Sequence, residues 1–143
     1  MSYRIWLFIA GLCGLAAVVA AAHGAHTLNG LTNFSSAVKV YETGALYHMV
    51  HAIALMLTAV LLAATDGRRG AFASWLLNIA ALAFLLGIIL FSGGVYYQVL
   101  RSVQTSVPVV PVGGAFFLAG WAALAISAFG FRGMRHEPDP QLQ

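Results

Sequence analysis

The chain has 143 residues, 61% of them hydrophobic and only 8% charged, with a formal net charge of +3. A soluble domain carries roughly a quarter of its residues as charges, so this composition excludes a water-clothed surface and makes a bilayer the natural solvent. The few arginines are scattered, which excludes the basic stripe of a nucleic-acid-binding protein, and the single cysteine, Cys13, excludes an internal disulfide and a cysteine-built metal site.

A membrane-crossing helix needs about 20 mostly apolar residues, and four stretches reach that length. The expected fold is all-α: an integral membrane four-helix bundle in which residues 1–143 form a single transmembrane domain. Its spans are expected at about 5–26, 44–64, 71–98 and 111–131, followed by a short charged tail at 132–143. The first span opens after Arg4 and carries no charge to Ala22. The same run, ending in Ala20, Ala21 and Ala22, also has the outline of a secretory signal peptide, but it is long for one, and retention as a span is favoured. A polar link over residues 27–43 follows, in which a helix can start at Ser35 or Ser36 as a cap. The second span holds histidines but no Asp, Glu, Lys or Arg. A tight charged turn at 65–70 leads to the third, and a polar turn at 101–111 leads to the fourth.

Cytoplasmic ends of membrane helices carry the excess of Lys and Arg. With four spans, Arg4, Arg68, Arg69, Arg132 and Arg135 share one side, against Lys39 and Arg101 on the other. Both termini are therefore expected in the cytoplasm.

Helices associate in lipid through close packing of small residues, not through apolar burial. Ala115, Ala119, Ala123 and Ser127 recur on one face of the fourth span. Gly14, Gly87, Gly93, Gly113, Gly114 and Gly120 are the glycines expected at helix contacts. Asn78 is expected to hydrogen-bond across the bundle, and Trp6, Trp75, Tyr3 and Tyr97 to lie at the membrane interfaces.

The topology gathers the unusual residues at the outer end. His23 and His26 close the first span, His48 and His51 open the second, Ser92 and Tyr96 close the third, and Gly113 and Gly114 open the fourth. Residues three apart share a helix face, so each His-x-x-His pair can aim both rings at one place. If the second span starts at Gly44, His51 sits roughly 10 Å inside it. Glu42, just ahead, then faces the positive helix end. The candidate cluster is His23, His26, His48, His51, Ser92, Tyr96 and Glu42. Three roles stay open for it: interhelical hydrogen bonding, metal ligation, or a haem or quinone contact or proton route. No catalytic residue is assigned, because no phosphate loop, His-Glu-x-x-His or nucleophile elbow occurs and no acid lies within a span. His136, in the charged tail, is expected to be solvated.

Gly24-Ala25-His26, the run YHMVHAIALML from position 47, LFSGGVYY from position 90 and PVGGAFFLAGW from position 111 occur in this order. Together they resemble the family called domain of unknown function 423, which also takes in transmembrane protein 256. The resemblance covers nearly the whole chain, first span included, which supports retention of that span. It implies a four-helix membrane protein, at the plasma membrane in bacteria, and brings no established activity. His26, His51, Ser92, Gly93, Gly113, Gly114, Gly120 and Trp121 match its motifs. His48 stands where the family pattern more often has glutamine, and His23 where it has an aromatic residue. A four-histidine metal site loses support accordingly. His26 and His51 remain as a candidate metal pair, too few for a closed structural zinc site.

The expected role is that of a non-catalytic accessory or scaffold protein in the bacterial inner membrane. Its partners would be the lipid bilayer and either a larger membrane protein complex or a second copy, with no nucleic acid and no cofactor. The alternative is a small transporter or a metal- or quinone-binding subunit using His26 and His51, with metal, haem and quinone all kept open.

Overall fold

The computed structural model describes residues 2–28, 35–67, 69–101 and 108–131. Arg68, the charged tail at 132–143 with His136, the turn at 102–107 and the stretch 29–34 of the first link lie outside the described residues. The described residues form five α-helices: α1 (Tyr3–His23), α2 (Ser35–Ala64), α3 (Ala71–Gly87), α4 (Gly93–Arg101) and α5 (Val109–Ser127). A π-helical turn, Gly24–Leu28, prolongs α1, and a second, Ile88–Ser92, joins α3 to α4 as one continuous rod. Among the described residues, four helical stretches are long and apolar enough to cross a membrane: Tyr3–His26, Ser36–Ala64, Ala71–Arg101 and Val109–Gly130. No strand occurs among the described residues, only one isolated bridge between Arg69 and Phe131.

Local chemistry sets the helix ends. Ser2 caps α1, its hydroxyl accepting from the Arg4 amide at 3.4 Å. Helix α2 starts at Ser35, well ahead of Gly44. No proline interrupts that stretch, and within it the Thr43 hydroxyl bonds back to the Lys39 carbonyl at 2.9 Å. The helix thus begins at Ser35, where the link was expected to allow a helix start, ahead of the membrane span expected from Gly44. Glu42 is an exposed residue within α2, not a group at its positive end, and His51 lies about 24 Å from the helix start at about 1.5 Å per residue. Helix α5 begins at Val109, two residues before Pro111; a first-turn proline is tolerated because its missing N–H would have had no helical partner.

The turn between α2 and α3 is built around two residues. Gly67 takes a φ of +76°, the left-handed conformation that closes a helix at low cost only for glycine. Arg69 folds back over the end of α2, donating to the Leu62 carbonyl, to the Thr65 hydroxyl at 3.3 Å and to the Asp66 carboxylate at 3.1 Å. Gly70 then donates to the Gly130 carbonyl at 3.2 Å, tying the turn to the end of the fourth span.

Helices α3 and α5 are held closest. A Cβ on Gly113 would overlap the backbone of Phe91, and one on Gly87 would overlap the ring of Phe117. A Cβ on Gly120 would lie 2.7 Å from the Phe84 ring. The buried face of α5 is Gly113, Phe117, Gly120, Ala123 and Ser127. Ala115 and Ala119 are exposed, so of the small-residue line expected along the fourth span only Ala123 and Ser127 lie on the contact face. Phe117 takes the place of the other two because Gly87 opposite it leaves room for a ring. Gly14 meets no neighbouring element within 4 Å, and the atom nearest a Cβ on Gly93 is the Ile88 carbonyl oxygen of its own rod. Gly14, Gly93 and Ala119 are thus not close helix contacts, whereas a Cβ on Gly114 would come only within 3.9 Å of the Phe91 ring.

Helix α1 lies along α2 and reaches α3 through one polar bond, from the Trp6 indole N–H to the Asn78 side-chain oxygen at 2.9 Å. Asn78 bonds across the bundle. Trp6 is only 2% exposed, a buried donor and not an interfacial anchor.

Candidate functional site: two histidine-bearing grooves

His51 and His48 lie three residues apart in the middle of α2, both buried. Their surroundings differ. The His51 Nδ1 lies 2.8 Å from the Tyr47 carbonyl, and its Nε2 lies 3.2 Å from the Trp121 indole nitrogen. A carbonyl can only accept and an indole N–H can only donate. The ring is therefore the neutral tautomer protonated on Nδ1, with its Nε2 lone pair already taken. It stacks on Phe117 with centroids 3.5 Å apart and planes 11° apart. His51 thus links α2 to α5 through one hydrogen bond and one ring face, and its other hydrogen bond stays within α2.

His48 points to the third span. Its Nδ1 lies 3.3 Å from the Tyr96 hydroxyl. The Tyr96 ring sits 4.8 Å from that of Tyr41, which lies 6.1 Å from the His23 ring at the end of α1. The His48 Nε2 and the Ser92 hydroxyl are both buried with no hydrogen-bond partner among the described residues. Such groups are costly in an apolar medium, because no water offers an alternative bond.

Two grooves flank this arrangement. One, of about 760 Å³, lies between α2 and α5 and is faced by Tyr47, His51, Phe91 and Trp121. The other, of about 910 Å³, lies between α1, α2 and the third span and is faced by Cys13, His23, Tyr41, His48 and Tyr96. The π-helical turn serves both, presenting Phe91 to the first and Ile88 and Ile89 to the second. Such turns recur at functional positions in helices.

The candidate residues therefore separate. His51 belongs to one groove, and His23, His48 and Tyr96 to the other; Ser92 is buried at the end of the π turn between α3 and α4. His26 is exposed in the turn after α1 and lines neither groove, and Glu42 is exposed on α2. The pairing of His26 with His51 as two ligands is corrected on physical grounds, since His51 has no free nitrogen to offer. Among the described residues, no three of His, Cys, Asp and Glu come together as metal ligands.

Residues 20–114 match the family described as Protein of unknown function (DUF423). The chain belongs to this family. It is 32% identical over 130 residues to the UPF0382 membrane protein SH2409 of Staphylococcus haemolyticus, covering 91% of this chain and 99% of the relative. It is 33% identical over 141 residues to the UPF0382 inner membrane protein YgdD of Escherichia coli, covering 96% of this chain and 100% of the relative. A UPF0382 membrane protein of Haemophilus influenzae is 33% identical over 126 residues, 87% of this chain and 93% of the relative. No solved structure matches. With four apolar helices of spanning length, the family member described here is a multi-pass membrane protein.

The residues that complete the site were not all among the candidates. Trp121 had matched a family motif without a role, and Tyr41, Tyr47 and Phe117 carried no assignment. Trp121 had a usable signal: it lies in the middle of its span, where an indole N–H needs a partner and no headgroup is in reach.

Proposed function

We propose that this protein is a non-catalytic accessory or scaffold protein of the bacterial plasma membrane, with both termini in the cytoplasm. It engages, within the bilayer, a larger membrane protein complex or a second copy of itself. His51 carries this proposal: the buried histidine with the best claim to chemistry has both ring nitrogens spent, one on a bond within α2 and one on the bond that joins α2 to α5. Helix α1 adds a surface for a partner, since only Trp6, Ala10 and Ala17 of it are buried while Phe8, Leu12, Leu15 and Val19 face outward. The inner-membrane name of the Escherichia coli relative supports the location. The placing of Arg4 and Arg69 opposite Lys39 and Arg101 supports the orientation.

The test is gentle solubilisation of native membranes carrying a tagged chain, followed by native gel electrophoresis and identification of what migrates with it. A stoichiometric companion or a homo-oligomer is expected. A chain that runs as a monomer under every mild condition contradicts the proposal.

A further inference from the structure

We infer that the groove between α1, α2 and the third span binds a lipid-soluble quinone, its ring held at Tyr41, Tyr96 and His48 and its tail laid along α1. The groove is graded in polarity. Along α1, from Ile9 through Leu12, Cys13 and Ala16 to Ala20, its wall is apolar for a length of about 17 Å at 1.5 Å per residue. At the other end stand His23, Tyr41 and Tyr96, with His48 reaching the Tyr96 hydroxyl from below.

That end suits a flat head. The Tyr41 and Tyr96 rings pack on each other with centroids 4.8 Å apart, so a planar head would lie on the groove side of this aromatic pair, not between its rings. Among the described residues no Lys, Arg, Asp or Glu lines the groove, so a charged phosphate head finds no counter-ion there, whereas a neutral carbonyl finds phenol and imidazole donors. His48 is 6% exposed with its Nε2 unpartnered among the described residues. When the Tyr96 hydroxyl donates to Nδ1, Nε2 carries a proton that a quinone oxygen can accept once neighbouring side chains yield. The volume of about 910 Å³ lies in the range of small-molecule sites and holds a ring with a short tail. Binding here does not rest on the accessory role, although Leu12 belongs both to this wall and to the outward face of α1.

The experiment uses the full chain in phosphatidylcholine nanodiscs, titrated with decylubiquinone and, in parallel, with decylbenzene, which has the tail but no carbonyl. The thermal unfolding midpoint is read by circular dichroism. A saturable rise with decylubiquinone is expected, absent with decylbenzene. Ala16→Phe, which fills the tail path from a wall position, should weaken the apparent affinity at least tenfold while unfolding at the wild-type temperature without ligand. Tyr96→Phe, which removes the donor that keeps the His48 proton on Nε2, should weaken it about fivefold, the worth of the one net hydrogen bond that Nε2–H makes. No rise, an equal rise with decylbenzene, or an unchanged response in Ala16→Phe would overturn the inference. So would a groove closed by a second copy, seen as a dimer by mass photometry that decylubiquinone does not alter.

Discussion

Trp121 on α5 donates its indole N–H to the Nε2 of His51 on α2 across 3.2 Å, while the Nδ1–H of the same ring bonds the Tyr47 carbonyl at 2.8 Å. One imidazole thereby fixes the rotation of α2 about its own axis and the depth of α5 beside it. Lipid gives no apolar driving force for such a choice, so directional bonds and close backbone contacts have to make it.

The strength of this tie is measurable. Trp121→Phe keeps a ring in place but leaves the buried Nε2 without a donor, and His51→Phe leaves the indole without an acceptor. Each single variant should lose stability in denaturant titration of the reconstituted protein. The double-mutant cycle should give a coupling of about 1 kcal/mol, within the range found between membrane helices. Additive losses would show that the bond contributes nothing of its own.

Gly113 and Gly14 give opposite expectations for the same substitution. Gly113→Ala pushes a methyl into the backbone of Phe91 and should destabilise by about 1–3 kcal/mol, the usual cost of overpacking. Gly14→Ala enters open space and should be neutral or stabilising by up to about 1 kcal/mol through helix propensity. Thermal unfolding of the two variants side by side checks both.

Arg69 separates a bond that matters from one that does not. Its side chain is 14% exposed, and the Asp66 carboxylate beside it is 73% exposed. Asp66→Asn should change stability by less than about 1 kcal/mol, as exposed ion pairs do. Arg69→Gln strips the charged donor from the Leu62 carbonyl and should cost about 1.5–3 kcal/mol. Equal effects in the two variants would mean that the ion pair, not the helix cap, is what holds the turn.

Orientation is tested by single cysteines in a Cys13→Ala background. Lys39→Cys and Asp66→Cys are both exposed positions at opposite ends of α2. An impermeant maleimide added outside intact cells should label Lys39→Cys alone, and Asp66→Cys only after the membrane is opened. Labelling of both from outside would contradict a cytoplasmic turn between the second and third spans.

Four spans were legible in the sequence, because length and charge depletion alone decide membrane crossing. Asn78 as a cross-bundle bond was legible for a similar reason: an amide inside an apolar span has to find a partner. The faces were not. Alanines at 115 and 119 follow the same spacing as Ala123, yet the chain buries Phe117 instead, and only the gap left by Gly87 two helices away explains that. The π turn at Ile88–Ser92 has no mark in the sequence that separates it from plain helix, yet it positions Phe91 and Ser92. Trp6 resembled an interface anchor by its place near the start of the chain. Its burial against Asn78 depends on the depth at which α1 docks, which no local pattern encodes.

The most direct measurement is the pair of ring-nitrogen chemical shifts of His51 in ¹⁵N-histidine-labelled protein, recorded by solid-state NMR in lipid bilayers at neutral pH. The shifts should place the proton on Nδ1 and give Nε2 the signature of an unprotonated, hydrogen-bonded acceptor that changes in Trp121→Phe. A proton on Nε2, or an Nε2 shift indifferent to loss of the indole, would contradict a histidine committed to holding α2 and α5 together.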